Sequence, residues 1–235
     1  MGTKPIKREK IKYEYFQKPE AKENIIQIGN NLADHLFQNN INNIIFIDRA
    51  ARAGYVALKK AWKNKFPDSP TPNIYFTNPD GYRPMKQNSQ HPIPTRTHQN
   101  IVNDFNSTYK KLSSDKNQKI MLFDICMHSG DTAESILNIL NQAGYPNITL
   151  GLTQPRDNNY PFSCQVDFEA INHNTLYPCL PFDKEPIIDK NSYSVVSTTY
   201  SNPTLRKMSL KKRKEIASLF ETNSNSLTSI VDSLE

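Results

Sequence analysis

Short apolar runs alternating with amphipathic stretches set the pattern of this chain. Residues 44–47, 73–77, 120–123 and 148–152 are strand-length and mostly apolar. Such runs suit strands covered on both faces. A weaker candidate lies at 165–169. Between the runs the spacing becomes helical. Ile25, Ile28, Leu32, Leu36 and Phe37 predict a helix near 21–39, and Tyr55, Val56, Leu58 and Trp62 another ending near Lys65. Ile101, Phe105, Tyr109 and Leu112 predict a third. Ala133, Ile136, Leu137 and Leu140 predict a fourth, with Gly144 and Pro146 as stop signals. Toward the end, Ile216, Leu219 and Phe220, then Leu227, Ile230, Val231 and Leu234, suggest two short amphipathic helices. Helices alternating with buried strands argue an open, mostly parallel sheet with right-handed crossovers.

Composition narrows the picture. The 235 residues suffice for one large domain, or one domain with an appendage. Twenty-nine Lys and Arg against 23 acids give a formal charge of +6, which suits an anionic ligand. The charge is spread along the chain, so nucleic-acid binding is disfavoured. The basic run Lys211-Lys212-Arg213-Lys214 reads first as a solvated helix face. Cys126, Cys164 and Cys179 show no metal-ligand spacing and do not pair evenly, favouring a reduced, cytoplasmic setting. No apolar run approaches the ~20 residues of a membrane span, and the basic N-terminus lacks an apolar signal core. Residues 1–20, charged and broken by Pro5 and Pro19, read as a basic arm, with Tyr13, Tyr15 and Phe16 available to tack it down.

Chemistry concentrates in 119–132, Lys-Ile-Met-Leu-Phe-Asp-Ile-Cys-Met-His-Ser-Gly-Asp-Thr. The apolar run ends at Asp124, a polar turn follows, and a helix begins. A helix N-terminus offers unpaired N–H groups and a positive dipole end to a phosphate. The stretch resembles the phosphoribosyl-pyrophosphate motif of the type I phosphoribosyltransferases: four hydrophobic residues, two acids, two apolar residues, two small or polar residues, Gly, any residue, then Thr or Ser. Ile120 to Asp124, Cys126, Met127, Ser129, Gly130 and Thr132 fit. Ile125 stands in place of the second acid, and His128 at a small or acidic position. The structural alternative is any buried strand feeding a capped helix.

The resemblance implies an open sheet with helices on both faces, a less regular hood and a C-terminal helical extension. It divides the chain into the arm 1–20, an α/β core at 21–175, and a hood with C-terminal helices at 176–235, packed on the same domain. It places strand 44–47 beside 119–123, with 73–77 and 148–152 outside them, so that ligand would bind where the strand order reverses. Asp124 would hold ribose hydroxyls. Ser129, Gly130, Asp131 and Thr132 line the 5′-phosphate position, with Asp131 bringing a like charge. The loop 48–54 carries Arg49 and Arg52 among small residues, a cradle for pyrophosphate by guanidinium forks; the alternative pairs Asp48 with one arginine. Residues 78–99, rich in proline, sit where the family has its mobile catalytic loop, and disorder alone explains them as well. His128 would act as general acid or base near the acceptor, or simply bond a loop carbonyl.

The implied reaction is magnesium-dependent transfer of a phosphoribosyl group from phosphoribosyl pyrophosphate to a nucleobase or related acceptor, with release of pyrophosphate. Mg2+ would be held through ligand and water, with Asp124 as the available carboxylate. A homodimer is admitted; a membrane partner is not. Ile125 and Asp131 suit a second hypothesis, a non-catalytic binder or sensor of phosphoribosyl pyrophosphate or nucleotide on the same fold. A third, nucleic-acid binding, rests on charge alone and would show steep salt dependence.

Overall fold

A computed structural model describes residues 13, 16–47, 51–82, 97–127, 130–155, 165–170, 207 and 210–221. The elements run α1 (Pro19–Gln38), β1 (Asn43–Ile47), α2 (Arg52–Lys65), β2 (Asn73–Thr77), a helical turn at Pro79–Tyr82, α3 (His98–Thr108), α4 (Lys110–Ser113), β3 (Ile120–Met127), α5 (Asp131–Gln142), β4 (Ile148–Pro155) and β5 (Phe168–Glu169). Residues 210–221 form a further helix, α6. The strands make a parallel five-stranded sheet in the order β2-β1-β3-β4-β5. This is the expected fold class, with the expected neighbours on either side of β1 and β3.

Alternation along the strands builds two cores. Ile44, Phe46, Met121, Phe123 and Ile125 meet α1, α2 and α6 on one face. Ile45, Ile47, Ile120, Leu122, Leu150 and Leu152 meet α3, α4 and α5 on the other. Crossovers that keep one hand must change face when the strand order changes direction. The helix from β1 to β2 accordingly lies opposite those that lead toward β3 and β4.

Two strand ends extend past their expected limits. β3 continues through Asp124 to Met127, and β4 reaches Pro155. Asp124 is therefore a polar interruption inside a strand, not its end, and its neighbour Ile125 points to the other face. The connection 78–99 is also more structured than its prolines suggest. Pro79–Tyr82 forms a helical turn, and Thr97 caps α3 by accepting from the Asn100 N–H at 3.2 Å. What remains of the expected loop, 83–96, lies outside the described residues.

The last described helix closes the α1/α2 face. Ile216, Leu219 and Phe220 are buried there. The arm is tied to α6: Phe16 is fully buried and its N–H donates to Glu215 Oε2 at 3.2 Å, while Tyr13 Oη and Ser218 Oγ lie 3.1 Å apart. Within the basic run, Lys211 and Lys214 are exposed but Lys212 is only 3% exposed. The run is thus not a uniformly solvated face. The second expected C-terminal helix, the hood and Tyr15 lie outside the described residues. No described helix is long and apolar enough to cross a membrane.

Candidate functional site

The strand order reverses between β1 and β3, and the loops leaving these two strands share the carboxyl edge of the sheet. The register defines that edge residue by residue. Ile47 pairs with Thr77, Phe46 with Phe123, and Asp124 with Leu152. Thr77, Ile47, Asp124 and Leu152 therefore form one row across four strands, with side chains toward α3 and α5. Asp124 is the carboxylate of that row and is half-buried. Its Oδ1 accepts from the Ile125 N–H at 2.7 Å.

Ile125 takes no part in this row. It is 7% exposed and belongs to the core under α1 and α2. The side chain at position 125 faces away from the Asp124 row.

After β3 the chain enters α5 through Gly130. Its φ of +89° lies in the left-handed region, open to glycine at no steric cost. A glycine N-cap supplies no side-chain oxygen to the first turn, and no side-chain cap bond is made there. Asp131 is exposed at the first helical position and Thr132 half-buried at the second. Asp131 places a negative charge at the positive end of the helix dipole, which favours the helix. His128 and Ser129 lie outside the described residues.

On the β1 side, Arg49 is likewise outside them. Arg52 opens α2, half-buried, its guanidinium carbon 4.9 Å from the centroid of Phe76. Phe76 packs with Phe46 and Tyr55 on the α1/α2 side. Arg52 and Asp124 thus share an edge of the sheet but not a face. The small residues around Arg52 also have packing duties. Ala51 and Ala53 are buried, and a Cβ on Gly54 would sit 3.0 Å from the Phe123 ring. They let α2 descend onto the sheet.

Three polar residues at this edge were not singled out from sequence. Thr77 and Asn78 are fully buried at the end of β2, and Thr77 Oγ1 donates to Tyr82 Oη at 2.6 Å. Thr153, 2% exposed, donates its hydroxyl to the Ile125 carbonyl. A usable signal existed: each is a polar residue at the trailing end of an apolar strand.

No family model matches the chain, and no curated protein does. Among solved structures, the chain is similar to hypoxanthine phosphoribosyltransferase from Trypanosoma cruzi in complex with the product IMP, at 10% identity over 85% of this chain and 100% of that chain, TM-score 0.43. It is similar to a hypoxanthine phosphoribosyltransferase from Staphylococcus aureus at 14% identity over 68% and 85%, TM-score 0.40. It is also similar to purine phosphoribosyltransferase from Pyrococcus horikoshii Ot3 at 12% identity over 63% and 81%, TM-score 0.39. At these identities and scores nothing about activity follows, and the fold assignment rests on strand order and register.

Proposed function

We propose that the chain binds phosphoribosyl pyrophosphate across the carboxyl edge of β1 and β3 and transfers its phosphoribosyl group to a nucleobase or related acceptor, releasing pyrophosphate. The observation that carries this reading is that the Asp124 carboxylate and the glycine-capped start of the helix that follows β3 both belong to the carboxyl end of β3, where strand order reverses. In open α/β sheets ligands bind at that place. Asp124 would accept from ribose hydroxyls, and the 129–132 turn would receive the 5′-phosphate. Arg49 and Arg52 would take the pyrophosphate by charge-assisted forks. Since Arg52 lies on the other face from Asp124, the ligand would straddle the strand edge. The acceptor nitrogen attacks the anomeric carbon as the bond to pyrophosphate breaks; the protein fixes geometry and stabilises developing charge.

Magnesium would be held at this edge through ligand and water, with Asp124 as the available carboxylate. Among the described residues no group of three or more His, Cys, Asp or Glu could hold a metal ion, and the β3 row offers one carboxylate. Magnesium commonly keeps several waters and binds through one or two carboxylates plus substrate phosphates. When bound, it would neutralise charge on the leaving pyrophosphate.

A second reading, a non-catalytic binder of the same ligand, is favoured by one observation: Ile125 is a core residue, so the edge lacks the second acid. Calorimetry with phosphoribosyl pyrophosphate, with and without magnesium, separates the two when paired with an assay of pyrophosphate release over a panel of nucleobases. Metal-dependent binding with release supports the transferase. Metal-independent binding without release supports the binder. Absence of binding overturns both.

A further inference from the structure

The β3–β4 ladder changes character one residue beyond Asp124. Paired positions step from Asp124–Leu152 to Cys126–Gln154. Between them, both main-chain polar groups of Ile125 are engaged by side chains. Its N–H donates to Asp124 Oδ1 at 2.7 Å, and its carbonyl accepts from the Thr153 hydroxyl. Thr153 is 2% exposed, on a strand whose neighbouring residues Leu150 and Leu152 are apolar and buried. Alternation turns Thr153 to the other face from these leucines, the side of Ile125, and a hydroxyl buried there must find an acceptor; here the acceptor is the Ile125 carbonyl.

We infer that Thr153 is a positioning residue for the Asp124 carboxylate. By holding the Ile125 carbonyl, the hydroxyl sets the rotation of the chain at Ile125, and this presents the Ile125 N–H to Asp124 Oδ1. A hydrogen bond to an ionised carboxylate is among the stronger ones, so it fixes the side-chain rotamer. The carboxylate is then held in the row facing α3 and α5. Thr153 acts through the main chain and touches no ligand. The inference deepens the reading of this edge as a ribose-phosphate site and rests on it for its ligand arm only.

The test compares Thr153→Val, which keeps the branched shape and loses the hydroxyl, with Thr153→Ser, which keeps the hydroxyl. The first readout needs no ligand: the three-bond Hα–Hβ couplings of Asp124, which report its side-chain rotamer. In the wild type and Thr153→Ser they report one fixed rotamer; in Thr153→Val they average over several. The second readout is calorimetry. Ribose 5-phosphate affinity falls about tenfold in Thr153→Val, the size of one lost hydrogen-bonded arrangement, and recovers in Thr153→Ser, while pyrophosphate affinity is unchanged. Asp124 couplings that still report one fixed rotamer in Thr153→Val overturn the inference, whatever the stability of that variant. If the wild type binds no ribose 5-phosphate, the functional reading fails and the couplings still judge Thr153. Should Thr153→Val not fold, Thr153→Ala against Thr153→Ser makes the same comparison.

Discussion

Asp124 and Ile125 are adjacent in the chain and serve different faces of the sheet. An acid introduced as Ile125→Asp would enter the core under α1 and α2, not the row of Asp124. A buried, unpaired carboxylate is among the costliest single changes. We expect a loss of at least about 3 kcal/mol in urea denaturation, against about 1 kcal/mol for Ile125→Val. Tighter, magnesium-dependent ligand binding by the acid variant would show that residue 125 reaches the crevice after all. Arg52→Ala tests the other loop. Losing a contact over Phe76 costs roughly 0.5–1 kcal/mol of stability, while pyrophosphate affinity falls more than about tenfold and ribose 5-phosphate affinity stays. Equal losses for both ligands in calorimetry would count against the pyrophosphate assignment. At this scale the sequence marked Asp124, Gly130 and Arg52 by residue type. It could not show faces, because the end of β3 looked like Asp124 itself. One polar residue in Ile-Met-Leu-Phe-Asp-Ile-Cys-Met reads as a terminus when it is an interruption.

Elements were legible where their apolar periodicity was complete. β1, β2, α2 and α5 stand within a few residues of expectation, and α1 spans Pro19–Gln38 against the expected 21–39. The start of α3 was missed because its signal is a cap, Thr97, rather than an apolar residue, and proline-rich sequence precedes it. Contacts between elements were not legible, and Gly29 illustrates why. In an isolated helix, Gly→Ala gains about 0.5–1 kcal/mol. Here a Cβ on Gly29 would lie 2.8 Å from the Ala57 main chain and 2.7 Å from Phe220 Cζ. The main chain of α2 cannot yield cheaply, and overpacking costs about 1–3 kcal/mol, so Gly29→Ala should lower the thermal midpoint. A higher midpoint would mean that α1 and α2 separate easily.

A second element-scale contact carries a pH dependence. His35 on α1 stacks on Phe168 of β5, ring centroids 4.2 Å apart. Burial pushes its pKa below 6.5, opposed by the nearby Asp167. Asn39 Nδ2 lies 3.4 Å from His35 Nδ1, a geometry suited to a neutral ring. The unfolded chain therefore binds the proton first. This contribution is complete above pH 6.5, shrinks as pH falls below it, and levels off once pH passes the lowered folded value. His35→Phe keeps a ring on Phe168 and removes the titration. Denaturation midpoints between pH 7.5 and 5 should therefore fall less in the variant. An unchanged acid-side slope would assign the dependence to other groups.

On the scale of the whole molecule, stability and ribose 5-phosphate binding are expected to separate by face. α6 and the arm close the α1/α2 side, while Asp124 faces α3 and α5. The sequence showed α6 as a short amphipathic stretch beside a basic run. It did not show that Phe16 and Glu215, 199 residues apart, would be joined, since no local pattern encodes a contact of that separation. Ile216, Leu219 and Phe220 are each worth about 1.5–3 kcal/mol when fully buried. Together they amount to roughly 5–9 kcal/mol, comparable with the 5–15 kcal/mol that holds a typical domain folded. A chain ending at residue 206 should therefore lose its cooperative melt and bind a dye that reports exposed apolar surface. Phe220→Ala should lose about 3–5 kcal/mol and remain folded at low temperature. Under those conditions its ribose 5-phosphate affinity should equal that of the wild type, because the lost contact lies across the sheet from Asp124. The paired measurement is a thermal melt and a calorimetric titration on the same preparation. A destabilised Phe220→Ala with weakened binding in its folded fraction would mean that the two faces are coupled through the sheet. Preserved binding would leave the two sides energetically separate.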